Sequence, residues 1–119
     1  MNTKEIGNIG EQKAVEHLIK NGYKIVERNF RKRGFEIDIV ALDTSDVLRF
    51  IEVKTIVDGS IEDAAFSIET RNIYRYAIGV DSFLLENPLY KDNTMAMDAV
   101  VINADSVTHY ENITGDLLI

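Results

Sequence analysis

The residues that could do chemistry in this sequence lie in two short segments. Thirteen residues separate Asp38 from Glu52, and Lys54 comes two positions after Glu52, so that the pattern is D-x13-E-x-K. Two carboxylates can share a divalent cation such as Mg²⁺ or Mn²⁺, because hard cations prefer oxygen ligands. A lysine beside them can orient a water molecule or stabilise the negative charge of a transition state. This set is the minimal equipment of a metal-dependent phosphodiester hydrolase.

Both segments alternate as strands do, and the polar stretch between them predicts a hairpin. Since residues i and i+2 of a strand share a face, Glu36 and Asp38 should point the same way, and Glu52 should point with Lys54. A turn centred on Ser45 places Asp38 opposite Glu52, with Cβ atoms about 4.5–5.5 Å apart. It also places Glu36 opposite Lys54. An ion-pair ladder of Asp38 and Glu36 against Lys54 is the alternative interpretation.

The remaining sequence predicts the elements that must position these side chains. A first helix is expected from a cap at Thr3 to about Lys20, and a second from a cap at Ser60 towards Pro88, loosened at Gly79. Strands are predicted for residues 23–29, 35–42, 47–55, 97–104 and 107–113. The order α-β-β-β-α-β(-β) predicts an α/β fold, in which helices flank both faces of a central mixed β-sheet.

Composition limits the class of protein. The chain has 119 residues, 45% of them apolar, which predicts one domain over residues 1–119. The absence of cysteine excludes disulfide scaffolds and thiolate metal sites. The polar N-terminus lacks a signal-peptide core, and no apolar run approaches the roughly 20 residues of a membrane helix, so a cytoplasmic location is expected.

The charge is negative overall but unevenly distributed. The net charge of −7 opposes general binding to nucleic acid, because an acidic surface repels a polyanion. Residues 20–33, however, contain six basic residues and only one acidic residue, so they carry +5 and the remainder carries −12. This basic strip, which includes Arg28, Arg31, Lys32 and Arg33, is predicted to contact phosphates. The alternative is a solvated edge strand that positive charges guard against aggregation.

Several motifs resemble those of the YraN-like (UPF0102) family. They follow the family order along nearly the whole chain and are most specific in the first 55 residues. They comprise Gly7-Asn8-Ile9-Gly10-Glu11, Ala14, Leu18, Gly22-Tyr23, Asn29, residues 36–41 (EIDIVA), residues 50–55 (FIEVKT) and residues 97–101 (MDAVV).

The family resemblance implies a restriction-endonuclease-like core of the PD-(D/E)XK type, distantly similar to archaeal Holliday-junction resolvases. It implies metal-dependent cleavage of DNA, including branched or damaged structures, and, by analogy with the resolvases, a homodimer. It also implies that Glu11 projects from the first helix towards the metal as a fourth site residue. Gly7 and Gly10 would then allow close packing of this helix on the sheet.

The sequence departs from the family pattern at three places. Phe35 is an extra residue in the usual Gly-Glu-Ile-Asp motif, where it could form a bulge. Ile56 replaces a frequent arginine, and Asn72 replaces a usual lysine, for which Arg71 and Arg75 are possible substitutes. Fewer phosphate contacts would weaken binding to DNA. The alternative function is therefore a catalytically inactive nuclease-fold module that binds a protein or nucleic-acid partner.

Other polar and aromatic residues are expected to be structural. His17 and His109 belong to no recognisable metal-binding spacing. Tyr76 and Phe83 lie on the second predicted helix and are expected in the core. Asp98 opens the late strand, where it is expected to support the structure.

Overall fold

The described residues form two α-helices and five β-strands in the order that the sequence predicts. The computed structural model describes residues 1–57, 59, 61, 63, 64 and 73–113, with side chains for all of these except 73–75. The predicted cap at Ser60 lies outside the described residues. The elements are α1 (Thr3–Lys20), β1 (Lys24–Lys32), β2 (Phe35–Leu42), β3 (Leu48–Ile56), α2 (Ile73–Glu86), a 3₁₀ turn (Pro88–Tyr90), β4 (Met95–Asn103) and β5 (Ser106–Tyr110).

The five strands form one mixed sheet in the spatial order β1-β2-β3-β4-β5. Neighbouring strands are antiparallel except β3 and β4, which are parallel. The β2–β3 hairpin has the predicted register, because Ile39 pairs with Ile51 and Leu42 pairs with Leu48. A parallel pair needs a crossover connection, and α2 belongs to the segment that joins β3 to β4.

In the described part of the chain, a helix packs on each face of the sheet, as predicted. Ala14 and Leu18 of α1 are fully buried and pack against one face, since residues four apart lie on the same side of a helix. Val80 and Phe83 of α2 pack against the other face, where the Phe83 ring meets the Phe50 ring edge-on at 5.7 Å between centroids. The two cores fix the sheet between two layers of helix, which defines the α/β fold and agrees with a nuclease-like core.

The cap of α1 differs from the prediction by one residue. The side chain of Asn2, not that of Thr3, accepts the hydrogen bond from the Glu5 amide, at 2.9 Å. Asn2 has an extended backbone, as a cap residue needs, whereas Thr3 is already helical. The predicted stop is confirmed, because α1 is capped by Asn21 and followed by Gly22 at a φ of +87°.

Glycines allow both helices to approach the sheet. A Cβ atom on Gly10 would overlap the hydroxyl of Thr55, so the predicted close packing of Gly10 is confirmed. Gly7 has no atom within 4 Å of such a position, so the same prediction is wrong for Gly7. Gly79 lies inside a continuous α2 and does not loosen it. A Cβ atom there would lie 3.0 Å from the Phe35 ring, which explains why glycine suits this position.

The first hairpin is longer than predicted. Strand β1 continues to Lys32, so the basic run forms the end of a strand rather than a loop. Lys32 pairs directly with Phe35 across a two-residue turn that contains Gly34 at a φ of +94°. The irregularity suggested at Phe35 is therefore not there. The register of the hairpin shifts instead between Ile25 and Glu27.

Candidate active site

Asp38 lies where the ladder between β2 and β3 ends. The last pair of the ladder is Ile39 with Ile51, so Asp38 and Glu52 come next on the two strands. The Asp38 carboxylate accepts a hydrogen bond from the Val53 amide at 2.8 Å and so takes the place of a backbone acceptor. Asp38 and Glu52, the two carboxylate residues of the sequence pattern, thus lie at the point where the ladder between the two strands ends.

The alternation of side chains is interrupted at Asp38. Ile37 belongs to the core under α2, whereas Ile39 belongs to the core under α1, although residues two apart in a strand normally share a face. In β1, the residue at the opposing position is Asn29, which has a φ of +53° that asparagine tolerates better than most residues. Glu36 and Asp38 are predicted to point the same way because side chains of a strand alternate between its two faces. That alternation is interrupted at Asp38.

Asp38 is surrounded by negative charge. Burial, above all, raises the pKa of its carboxyl group to about 7, from a usual value of 3.8, although the hydrogen bond from the Val53 amide lowers it. The charges of Glu52, Glu11 and Glu36 raise this pKa further. A cation bound here would oppose the effect of these negative charges on the pKa of Asp38, because opposite charge favours the ionised carboxylate.

Glu11 approaches Asp38 from the α1 side of the sheet. Its side chain is only 13% exposed and forms an ion pair with Arg28, at 3.6 Å. Arg28 also donates a hydrogen bond to Gln12, at 2.9 Å. The family resemblance placed Glu11 near the metal, and the structure places it near enough to Asp38 to act on its pKa.

Glu52 lies on the α2 side of the sheet. Val53 packs in the core under α1 and Thr55 lies under Gly10 of α1, so the alternating residues Glu52 and Lys54 face the other way. Lys54 is exposed. Within the part of the chain that the structure describes, no group of three or more His, Asp or Glu side chains is arranged to hold a metal ion. Glu11 lies on the α1 side of the sheet and Glu52 on the α2 side, which explains why they do not form such a group. The four predicted catalytic roles stay predictions.

Three cations of the basic strip are paired with carboxylates. Arg31 lies 3.2 Å from Glu36, and Lys32 lies 3.0 Å from Glu86 of α2. Arg28 is the third, through its ion pair with Glu11. The ladder alternative is not favoured, because Glu36 meets Arg31 here. Because β1 is an edge strand, the strip also matches the alternative of a guarded edge.

The other residues predicted to contact nucleic acid are less defined. Arg33 is exposed in the turn of the first hairpin. Arg71 lies outside the described residues, and for Arg75 the structure describes the helical backbone alone. Their role as phosphate contacts therefore stays a prediction.

A buried polar network lies at the other end of β3. The sequence predicted only part of it. Asp98 is fully buried and accepts hydrogen bonds from Arg49 at 3.0 Å, from the Asn112 amide at 2.8 Å, and lies 2.8 Å from Nε2 of His109. Arg49 also binds Asp43, at 3.0 Å. Asp98 is thus well satisfied, in line with the structural role expected for it. Arg49 was the missed member, and its charge within an otherwise apolar strand was the available signal.

These features define an α/β domain with a five-stranded mixed sheet between two helices, consistent with a nuclease-like core. The model of the family described as "Uncharacterised protein family UPF0102" matches residues 10–102, and the chain belongs to this family. The predicted family resemblance is therefore confirmed. No helix in the described ranges is long and apolar enough to cross a membrane.

Relatives in several bacteria match most of the chain. A "UPF0102 protein" of Brachyspira hyodysenteriae is 40% identical over 111 residues, which are 92% of this chain and 88% of that protein. One from Trichlorobacter lovleyi is 35% identical over 97 residues, covering 82% of this chain and 76% of the relative. Among solved structures, Pyrococcus furiosus SfsA in complex with Ca²⁺ matches with a TM-score of 0.33 and 14% identity. That match covers 92% of this chain but only 64% of the SfsA chain.

Proposed function

We propose that the protein is a Mg²⁺- or Mn²⁺-dependent nuclease that hydrolyses phosphodiester bonds of DNA. The observation that supports this proposal best is the half-buried Asp38 carboxyl, whose pKa of about 7 reflects partial burial and the nearby charges of Glu52 and Glu11. Such an excess of negative charge at a half-buried position is costly for folding alone and typical of a functional site. Lys54 lies on the same side of β3 as Glu52 and would supply a positive charge beside these carboxylates.

The donor groups fit a hard divalent cation in chemistry and charge. Asp38 and Glu52 offer carboxylate oxygens, and Glu11 lies behind Asp38 on the α1 side. A bound Mg²⁺ or Mn²⁺ supplies Lewis-acid chemistry that polarises a phosphate and lowers the pKa of an attacking water. Asp38 would release its proton when it binds the cation. The Lys54 ammonium would donate hydrogen bonds to the water or to the phosphate oxygens as negative charge develops.

DNA is proposed as the substrate on the basis of the family resemblance and the position of the basic strip. Most of the basic strip lies in β1, and β1 is the neighbour of β2, the strand that carries Asp38. A duplex bound at the site would therefore reach Arg28 and Arg31. Branched or damaged DNA comes first among the substrates to test. Two copies of the protein would supply the two sites needed to cut two strands, and sedimentation of the protein on a four-way junction would distinguish one copy from two.

A catalytically inactive binding module is the second candidate. Two observations favour it. Arg28, Arg31 and Lys32 already have carboxylate partners, which reduces the charge available for phosphates. The chain also carries a net charge of −7, which suits a protein partner better than a polyanion.

A cleavage assay with Mg²⁺ and with Mn²⁺ separates the two candidates. The substrates are linear, single-stranded, flapped and four-way-junction DNA, with RNA for comparison. We expect cleavage by the natural protein and a loss of at least about 100-fold in Glu52→Ala/Lys54→Ala, because both groups act on the transition state. Asp92→Asn is the control, since it removes an exposed carboxylate that belongs to no proposed role, and it should keep most of the activity.

Metal binding gives an independent measurement. Calorimetric titration with Mn²⁺ should show binding to the natural protein and none to Asp38→Asn, while circular dichroism shows that the variant is folded. Unchanged Mn²⁺ affinity in Asp38→Asn would contradict the proposed site. Mn²⁺ binding without cleavage of any substrate would favour the binding module.

A further inference from the structure

The hydroxyl of Tyr76 is buried beside the candidate site without a hydrogen-bond partner. Tyr76 lies on α2 and is only 6% exposed, and its ring meets the Phe50 ring edge-on at 6.4 Å between centroids. Its hydroxyl oxygen is among the buried polar atoms that find no hydrogen-bond partner in the described structure. Buried polar groups are nearly always hydrogen-bonded, and an exception calls for a functional or structural explanation.

Carboxylates lie close enough to this hydroxyl to act on its pKa. Phe50 and Glu52 are two positions apart in β3 and share the side that faces α2, so the Tyr76 ring that packs on Phe50 lies on the same side of the sheet as Glu52. Burial, followed by the charges of Glu52, Asp98 and Asp38, raises the pKa of the Tyr76 hydroxyl well above its usual value. The group therefore keeps its proton and acts as a hydrogen-bond donor at any pH at which the protein would work.

We propose that Tyr76 is a positioning residue: when a divalent cation binds at Glu52, the Tyr76 hydroxyl, which makes no hydrogen bond in the described structure, donates one to the Glu52 carboxylate and fixes its orientation. This inference rests on the function proposed above. An ionised carboxylate has about four lone-pair positions, so Glu52 can accept from Tyr76 and still bind a cation. Carboxylates that bind metals are themselves usually hydrogen-bonded, and removal of such a partner typically lowers metal affinity by about 10–100-fold.

The test is the substitution Tyr76→Phe, which removes the hydroxyl and keeps the ring. Calorimetry should show a loss of Mn²⁺ affinity of about 10-fold or more. The melting temperature without metal should stay the same or rise, because no hydrogen bond of the metal-free protein is lost. A residue with a merely structural hydrogen bond would show the reverse, a lower melting temperature with unchanged affinity.

Thr55→Val is the matched control. Thr55 carries a second buried hydroxyl without a partner in the described structure, but it lies under Gly10 on the α1 side of β3. Its replacement by a side chain of the same shape should leave Mn²⁺ affinity unchanged. An equal loss in both variants would show that any buried change near β3 disturbs the site, and would overturn the role of Tyr76.

A spectroscopic signature adds a readout that does not depend on activity. The chain has five tyrosines and no tryptophan, so its near-ultraviolet absorption reports on tyrosine. Addition of Mg²⁺ should perturb this absorption in the natural protein, and the perturbation should shrink in Tyr76→Phe beyond the share of one tyrosine in five. The same perturbation in both proteins would contradict a contact between Tyr76 and the site.

The outcomes separate this inference from the function on which it rests. If Asp38→Asn abolishes Mn²⁺ binding and Tyr76→Phe does not weaken it, the metal site stands and the role of Tyr76 is wrong. If the natural protein does not bind Mn²⁺ at all, both proposals fail together.

Discussion

The environment of Asp38 disfavours its negative charge. The carboxyl is half-buried, lies near Glu11, Glu36 and Glu52, and has a pKa of about 7. Its hydrogen bond from the Val53 amide offsets only part of this cost. A site that is destabilised without its ligand is a common compromise between stability and function.

The raised pKa of Asp38 predicts how stability depends on pH. The group titrates near 3.8 when the chain is unfolded and near 7 when it is folded, so the folded state binds more protons between these values. The free energy of unfolding without metal should therefore fall as pH rises from about 4 to 7, by at most about 4 kcal/mol. Below this window, where both states are protonated, the contribution of Asp38 is fully favourable.

Asp38→Asn should remove this fall, since an amide does not titrate but its oxygen still accepts from the Val53 amide. Urea unfolding at pH 4 to 8 measures the effect, and at pH 8 the variant should be more stable than the natural protein. Asp92→Asn, at an exposed carboxylate, is the control and should follow the natural protein. Parallel pH profiles for Asp38→Asn and the natural protein would show that Asp38 is not perturbed.

Local pattern was enough to suggest some candidate site residues and not others. Asp38, Glu52 and Lys54 stood out because ionisable residues interrupt apolar strands. Glu11 required the family resemblance, since nothing in α1 alone marks it. The pairing of Arg49 with Asp98 was out of reach, because it joins β3 to β4 across a long crossover whose register no local signal gives.

At the scale of elements, ion pairs join strand β1 to three other elements. Arg28 ties β1 to α1, Arg31 ties it to β2, and Lys32 ties it to α2 through Glu86. The exposed pairs of Arg31 and Lys32 contribute only about 0.2–1 kcal/mol each to stability. Their larger effect is on the charge that β1 presents to a phosphate backbone.

Glu86→Gln should release Lys32 and strengthen DNA binding. One additional phosphate contact makes the slope of log K against log salt more negative by about 0.9 for duplex DNA. Fluorescence anisotropy at three salt concentrations measures this slope. Asp92→Asn changes the net charge equally at another exposed position, so an equal gain in both variants would show that net charge alone matters.

Strand existence was predictable from alternation, but strand ends and faces were not. The β2 bounds and the hairpin register followed from its pattern and its turn. Strand β1 runs three residues beyond the predicted Asn29, because pairing with β2 outweighs the low strand preference of a basic run. The change of face at Asp38 lies opposite the left-handed backbone of Asn29 in the neighbouring strand, and periodicity within a single strand does not show it.

At the scale of the whole molecule, the layer arrangement was the most predictable feature. Two helices with apolar faces and several strands rich in Ile and Val leave few ways to bury both sides of a sheet. Net charge was predictable from composition, but the partners of the charged residues were not. Part of the positive charge of the basic strip is neutralised by ion pairs with carboxylates of other elements, and only the tertiary structure shows this pairing.

The two pairings of β3 join residues at very different separations along the sequence, and this difference predicts an order of folding. Asp38 and Glu52 are 14 positions apart in one hairpin, whereas the parallel pair of Leu48 and Met95 joins residues 47 positions apart. Closing the longer loop costs about 1 kcal/mol more entropy. The two proposed metal ligands should therefore meet before the sheet is complete, and a chain that has formed only this hairpin already holds both.

A cation that binds so early should act on the rate of folding rather than on the rate of unfolding. Interactions already present in the transition state accelerate folding, and those formed later slow unfolding. Stopped-flow refolding, followed by tyrosine fluorescence with Mg²⁺ and without it, tests this order. Faster refolding would place the hairpin in the folding nucleus, whereas slower unfolding alone would mean that the carboxylates come together only when both helices have docked.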